Sequence, residues 1–239
     1  MNNHRQQSRS RSSSPEFSPL NFGEDFAPLP EYKPPGDAAL DFSGLLDEPL
    51  KLHEDLSAGC GGQLWPAGLL LAKHMLRCHR EELQTARVLE LGAGGGIVGL
   101  TIAKGCRIDQ PLYITDMKDM EPLMQHNIGL NQLDDRVKAR ILNWGEPLSE
   151  EILEFKPDIV LAADCVYFEP AFPLLLQTLK DLLALTPTAT VFFCFKKRRR
   201  ADMQFIKAAR KTFRMTEIQD EDKPIYSREN LFLYALTRK

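Results

Sequence analysis

A chain of 239 residues, 43% hydrophobic and 26% charged, is long enough for one α/β domain with a substantial core, and its formal charge of −3 argues against broad affinity for nucleic acid. No apolar run approaches the roughly 20 residues that span a bilayer, and the polar N-terminus lacks the apolar segment of a signal peptide. The five cysteines are scattered and form no CxxC pair, so neither zinc nor a disulfide framework is suggested, and a reducing, cytoplasmic location is expected.

Residues 1–37 are rich in Ser, Pro, Asn, Gln and Arg and poor in aliphatics. They cannot bury enough apolar surface to offset ordering, which predicts a disordered tail before a single domain over 38–239. Ser14 and Ser18 each precede a proline and are candidate phosphorylation sites. LDFSGLLDEPLKLHEDL, residues 40–56, suggests a short N-terminal hairpin. A glycine loop follows at 59–62. Trp65-Pro66 then opens a helix over 66–83, with Pro where its missing N–H costs nothing.

Strand and helix signals alternate from there. Strands are predicted at 86–91, 111–117, 137–144, 157–165 and 188–195, with helices at 97–104, 120–130, 170–185 and 200–213. The strand at 157–165 is apolar almost throughout, as one covered on both faces should be. Two late strands, 214–219 and 231–237, have no helix between them. The pattern predicts an α/β fold: a doubly wound, mostly parallel seven-stranded sheet with an antiparallel C-terminal pair and a short N-terminal β extension.

VLELGAGGGIVGL, residues 88–100, is the most informative stretch. Gly92, Gly94, Gly95 and Gly96 lack the Cβ that would keep a ligand away from the backbone N–H groups of a strand-to-helix turn. A dinucleotide turn, G-x-G-x-x-G/A, needs a small third residue, and here that position is Ile97. Glu90 followed by Gly92-Ala93-Gly94 fits S-adenosylmethionine better. A structural turn without a ligand is the bland alternative.

In an open α/β sheet the ligand lies beyond the carboxyl ends of the strands. Asp116 ends the second central strand, where a carboxylate accepts from ribose hydroxyls or caps the next helix. Asn143-Trp144 ends the third; the indole would pack on adenine and the amide read its edge, or Trp144 is core. Ala163 and Asp164 end the fourth. A carboxylate after an apolar run is costly unless paired, which marks Asp164 as a working residue, with Tyr167 beside it. Cys165 reads as core. Trp65 walls a cofactor site or packs in the core. The run Lys196 to Arg200 reads as a contact for an acidic partner or phosphate, as a solvated helix start, or as a nuclear address.

VLELGAGGGIVGL, YITDM, the Trp after the third strand and ADCVYFEP together resemble the seven-β-strand class I methyltransferases. HEDLSAGCGGQLWPAG with AADCVYF resembles their eukaryotic protein-lysine branch, which methylates elongation factor 1A, heat-shock chaperones and an AAA ATPase. The tail and the HEDL segment look most like the fungal elongation factor 1A enzymes. The resemblance covers residues 40–239. It implies S-adenosylmethionine as cofactor, held by Trp65, Gly92, Ala93, Gly94, Asp116, Trp144 and Ala163. It implies a D-x-x-Y element, Asp164 and Tyr167, at the target lysine. It also implies a protein partner, elongation factor 1A, for an enzyme that needs no metal and acts as a monomer. Many relatives carry Asp where this chain has Asn143. A nucleic-acid methyltransferase is the rival reading, but DCVY lacks the prolines of an NPPY-like loop that shape a slot for a flipped base. A non-catalytic binding module is the other.

Overall fold

The computed structural model describes residues 35–239. The predicted tail lies outside them as far as residue 34. In chain order the elements are β1 (Gly36–Leu40), β2 (Leu50–Glu54), α1 (Pro66–Cys78), α2 (Arg80–Thr85), β3 (Val88–Leu91), α3 (Ile97–Gly105), β4 (Leu112–Asp116), α4 (Glu121–Leu130) and β5 (Val137–Ile141). They continue with α5 (Glu150–Phe155), β6 (Ile159–Ala163), α6 (Phe172–Leu185), β7 (Thr190–Lys196), α7 (Arg200–Thr212), β8 (Phe213–Glu217), α8 (Lys223–Tyr226) and β9 (Leu231–Arg238).

The main sheet has seven strands in the order β5-β4-β3-β6-β7-β9-β8. The five from β5 to β7 are parallel, and β9 runs antiparallel to both β7 and β8. From β3 the chain winds outward through β4 and β5, then returns to lay β6 on the other side of β3. That reversal opens the ligand crevice of a doubly wound sheet between β3 and β6.

Strand side chains alternate between two cores, as a period of two requires. Ile159 and Leu161 of β6 and Phe192 and Cys194 of β7 pack with α1, α3 and α4. Val160, Ala162, Val191, Phe193 and Phe195 pack on the other face with α5, α6 and α7. Such strands are apolar throughout because neither face meets water.

Three features depart from the sequence reading. The helix predicted over 66–83 is two helices, since His79 leaves helical geometry and its ring packs edge-on against Phe192 at 4.5 Å. Helix α5 was not expected; Ser149 caps it by accepting from the Ile152 N–H. A four-residue helix, α8, sits between the two late strands, where none was predicted.

The hairpin β1–β2 pairs antiparallel and forms its own small sheet. Its other edge is closed by two amides spaced one turn apart, Asn127 of α4 and Asn131 at its C-terminal cap. Asn131 accepts from the Lys51 N–H at 2.9 Å and donates to the Lys51 carbonyl at 2.6 Å. Asn127, fully buried, accepts from the His53 N–H at 2.8 Å and donates to the His53 and Gly95 carbonyls. The two side chains serve β2 as a neighbouring strand would, and Asn127 also ties it to the glycine turn. Each such bond contributes about 1 kcal/mol net, and an orphaned buried group costs about 1–3 kcal/mol. Asn127→Ala should therefore lower unfolding free energy by about 2–4 kcal/mol in urea. A loss below about 0.5 kcal/mol would show that the hairpin is not anchored there.

Candidate active site

The nine residues that the resemblance assigns to the cofactor and the target lysine line one cavity of about 370 Å³ over the β3–β6 crevice. Its floor is the turn after β3. Gly92 and Gly94 adopt left-handed φ of 65° and 54°. A Cβ on Gly92 would stand 2.9 Å from the Trp144 ring, and one on Gly94 would stand 2.1 Å from the Gly61 carbonyl oxygen. The turn is thus pressed between an indole on one side and the 59–62 loop on the other. Ile97, which spoiled the dinucleotide pattern, begins α3 and fits because Gly68 of α1 faces it; a Cβ there would come within 2.7 Å of Ile97.

Two carboxylates stand behind the turn. Glu90 is buried and accepts from the N–H groups of Val98 at 3.2 Å and Gly99 at 2.7 Å, which satisfies the first turn of α3. Burial pushes its pKa up to about 8; the two N–H bonds oppose the shift and Asp116 adds to it. Asp116 accepts from the Gly94 N–H and from its own neighbour Met117, each at 2.7 Å. Burial raises its pKa against the pull of those bonds. It does not cap the following helical turn, whose cap position is Met117.

Trp65 lines the wall with its Nε1–H donated to the Cys60 carbonyl at 2.9 Å, so the indole is oriented rather than merely packed. Trp144 both lines the cavity and packs on the core below. The neighbouring Asn143 does not reach the cavity. Its amide donates to Glu146 at 2.9 Å, outside the lining where the adenine contact was expected.

Asp164 leaves β6 in a left-handed conformation, φ 53°, and is buried. Its carboxylate accepts a two-pronged bond from Arg198, at 2.9 and 3.1 Å, and a third from the Lys196 N–H at 2.9 Å. A longer contact of 3.4 Å comes from the Ala67 N–H at the start of α1. The partner that an Asp at this place requires is therefore Arg198. Cys165 and Val166 turn back into the core, and the Cys165 thiol donates to the Leu91 carbonyl. Tyr167 emerges at the rim, half exposed, its hydroxyl beside the Cys60 thiol. Burial and then the neighbouring Cys60 and Asp116 raise the pKa of that hydroxyl.

The basic run splits. Lys197 and Arg200 are exposed, whereas Arg198 and Arg199 turn inward and line the cavity. Sequence alone read all five as solvent or partner contacts, since a run of like charges carries no sign of which members fold back. Phe168 and Met117, exposed and apolar, complete the rim.

The lysine methyltransferase family model matches residues 45–212. Yeast protein-lysine N-methyltransferase EFM6 is 39% identical over 91% of this chain and 97% of its own length. The chain belongs to the lysine methyltransferase family. EEF1A lysine methyltransferase 3 of mouse is 33% identical over 59% of this chain and 57% of its own. METTL21A of Xenopus tropicalis, a protein N-lysine methyltransferase, is 31% identical over 67% of this chain and 72% of its own. Among solved structures, the METTL16 methyltransferase domain superposes with a TM-score of 0.51 at 16% identity, covering 73% of this chain and 84% of that one; this likeness is one of fold.

This lysine methyltransferase modifies protein, and its methyl donor is S-adenosylmethionine. The cavity suits that molecule. It offers a left-handed glycine turn at its floor, an indole on each of two walls, and a carboxylate at Asp116. Gln63 Oε1 and Arg199 Nε are buried polar atoms of the lining with no protein partner among the described residues. Farther along α1, His74, Cys78 and Asp220 bring ligand-capable atoms within 4.8 Å. There Asp220 is already engaged by His74 and by the Arg77 guanidinium, each at 2.6 Å, so its charge is answered by the protein's own cation.

Glu90 links the site to stability. Its folded pKa of about 8 lies above the ordinary 4.5, so between those values the folded protein holds a proton that the unfolded chain has lost. Its contribution to stability falls as pH rises through that window and is level beyond it. Glu90→Gln should gain in Tm relative to the parent from pH 5 to pH 8 and then run parallel. Parallel thermal-unfolding curves across the whole range would contradict the burial assigned to this carboxyl.

Proposed function

We propose that this methyltransferase acts in the cytoplasm on translation elongation factor 1A, and that Asp164 and Tyr167 flank the target lysine. The observation that carries the reading is the placement of these two residues on the wall of the same cavity as the glycine turn. Trp65, Gly92, Ala93, Gly94, Asp116, Trp144 and Ala163 are assigned to the cofactor side of that cavity. The choice of elongation factor 1A is supported by the mouse and frog relatives named as EEF1A lysine methyltransferases, and by the fungal resemblance of the HEDL segment. No helix among the described residues is long and apolar enough to cross a membrane.

Methyl transfer needs a neutral amine with its lone pair in line. A lysine of pKa about 10.4 is neutral roughly once in 2,500 at pH 7, a cost of about 4.6 kcal/mol. Asp164 positions the ε-amino group through charge-assisted hydrogen bonding. Its Oδ2 has the more open lone pair, since it takes one Arg198 bond at 3.1 Å and a long contact from Ala67, whereas Oδ1 takes both Arg198 and the Lys196 N–H at 2.9 Å. Tyr167 closes the other side, holding the ammonium against its ring or turning the lone pair toward the methyl by accepting an amine N–H at its hydroxyl oxygen, and the proton leaves to water.

Incubating a knockout lysate with the enzyme and labelled S-adenosylmethionine should label the elongation factor 1A band. A chaperone or AAA ATPase band in its place would move the substrate within the family. Asp164→Ala should cut transfer by more than tenfold while S-adenosylhomocysteine still binds by calorimetry. Transfer above a tenth of the parent rate would remove Asp164 from the lysine site.

A further inference from the structure

We propose that Arg198 is a positioning residue that sets the protonation state of the target lysine, acting through Asp164 and Trp65. The inference rests on the reading that Asp164 faces that lysine. Arg198 meets Asp164 with both Nη atoms, and its guanidinium carbon lies 4.8 Å above the centre of the Trp65 ring. A planar fork that pairs edge-on with a carboxylate and stacks face-on over an indole is a task for arginine and not for lysine.

The backbone that carries the fork is clamped. The N–H groups of Arg198 and Arg199 both donate to the fully buried Asp202 Oδ2, at 2.7 and 2.8 Å. Arg199 also pairs with the other oxygen of Asp202 and donates to the Tyr167 carbonyl. One buried carboxylate in the first turn of α7 thus fixes an arginine on Asp164 and another on Tyr167. Both members of the D-x-x-Y element are held from the same two-residue segment.

The electrostatic consequence is specific. A bare carboxylate at the end of β6 would capture an incoming lysine as ammonium and deepen the cost of deprotonation. Paired with Arg198, Asp164 keeps its acceptor geometry but presents no net charge. The other charged groups facing this end of the cavity do not restore one. Arg199 is paired with Asp202, and Asp116 is held by the Gly94 and Met117 N–H groups. Glu90 of β3 lies behind that turn, bonded to the first N–H groups of α3, and burial biases it, the Tyr167 hydroxyl and the Cys60 thiol toward their neutral forms. Arg198 therefore lets the site hold an amine by hydrogen bonding without rewarding its protonated form.

The test is the pH dependence of single-turnover methyl transfer to the protein substrate. Arg198→Gln uncovers the Asp164 charge and should move the acid limb upward by about one pH unit, the scale on which a nearby carboxylate shifts an amine. Arg198→Lys keeps a cation but loses the fork and the stack; its rate should fall at least tenfold with the limb where the parent has it. S-adenosylhomocysteine should bind both variants by calorimetry within about threefold of the parent. Arg198→Met, whose stem keeps contact with Trp65, repeats the experiment if the Gln variant does not fold.

A rate lowered by one factor at every pH in the Gln variant would reduce Arg198 to a structural role and overturn the proposal. A limb displaced equally in the Lys variant would overturn it too. Lost S-adenosylhomocysteine binding would do so by assigning Arg198 to the cofactor. If the parent labels no protein lysine at all, the lysine reading falls and takes this inference with it. If the parent is active and only the limb fails to move, the reading stands and this inference alone is lost.

Discussion

Parallel pairing of β3 with β6, in a register that sets Leu91 opposite Ala162, is the constraint on which the site depends. It brings the ends of two strands some seventy residues apart in sequence to one edge of the sheet. The glycine turn leaves from one and Asp164 from the other. Because the chain winds away in opposite directions after these two strands, no crossover covers the gap between them. The cavity is what remains, and its walls are whatever the neighbouring strand ends deliver.

Those walls are held by main-chain contacts as much as by side-chain packing. The carbonyl of Gly61 abuts Gly94, Asn127 bonds the Gly95 carbonyl, and Asp116 takes the Gly94 N–H. The N-terminal hairpin is therefore part of the site's foundation, since the Asn127 amide of α4 joins β2 to the turn itself. A loop rich in glycine would otherwise carry a large conformational entropy. Here three separate elements restrain it.

Much of this was legible in the sequence, and the reason is topological. In a doubly wound sheet, strands are apolar runs and the residues just past their carboxyl ends face the crevice, so the cavity lining by Asp116, Trp144 and Asp164 could be read from their positions. Helix α5 was missed because half of its six residues are acidic and it buries chiefly Ile152; the Ser-Glu-Glu start was its one signal. Asn143 was overread, since a residue next to a wall need not face the same way. Arg198 was the most consequential omission. Its partner lies 34 positions earlier on another strand, and nothing in a run of five cations distinguishes the one that turns inward.

The left-handed turn at Asp164 explains the spacing of the D-x-x-Y element. It ends β6 abruptly and drives the next two side chains, Cys165 and Val166, into the core, where they are 3% and 0% exposed. Only the fourth residue regains the rim. The two unlettered positions are thus the anchor that fixes how far Tyr167 stands from Asp164. A motif recorded by its first and last letters is held to length by the pair between them, and a larger side chain at either would move the tyrosine without touching it.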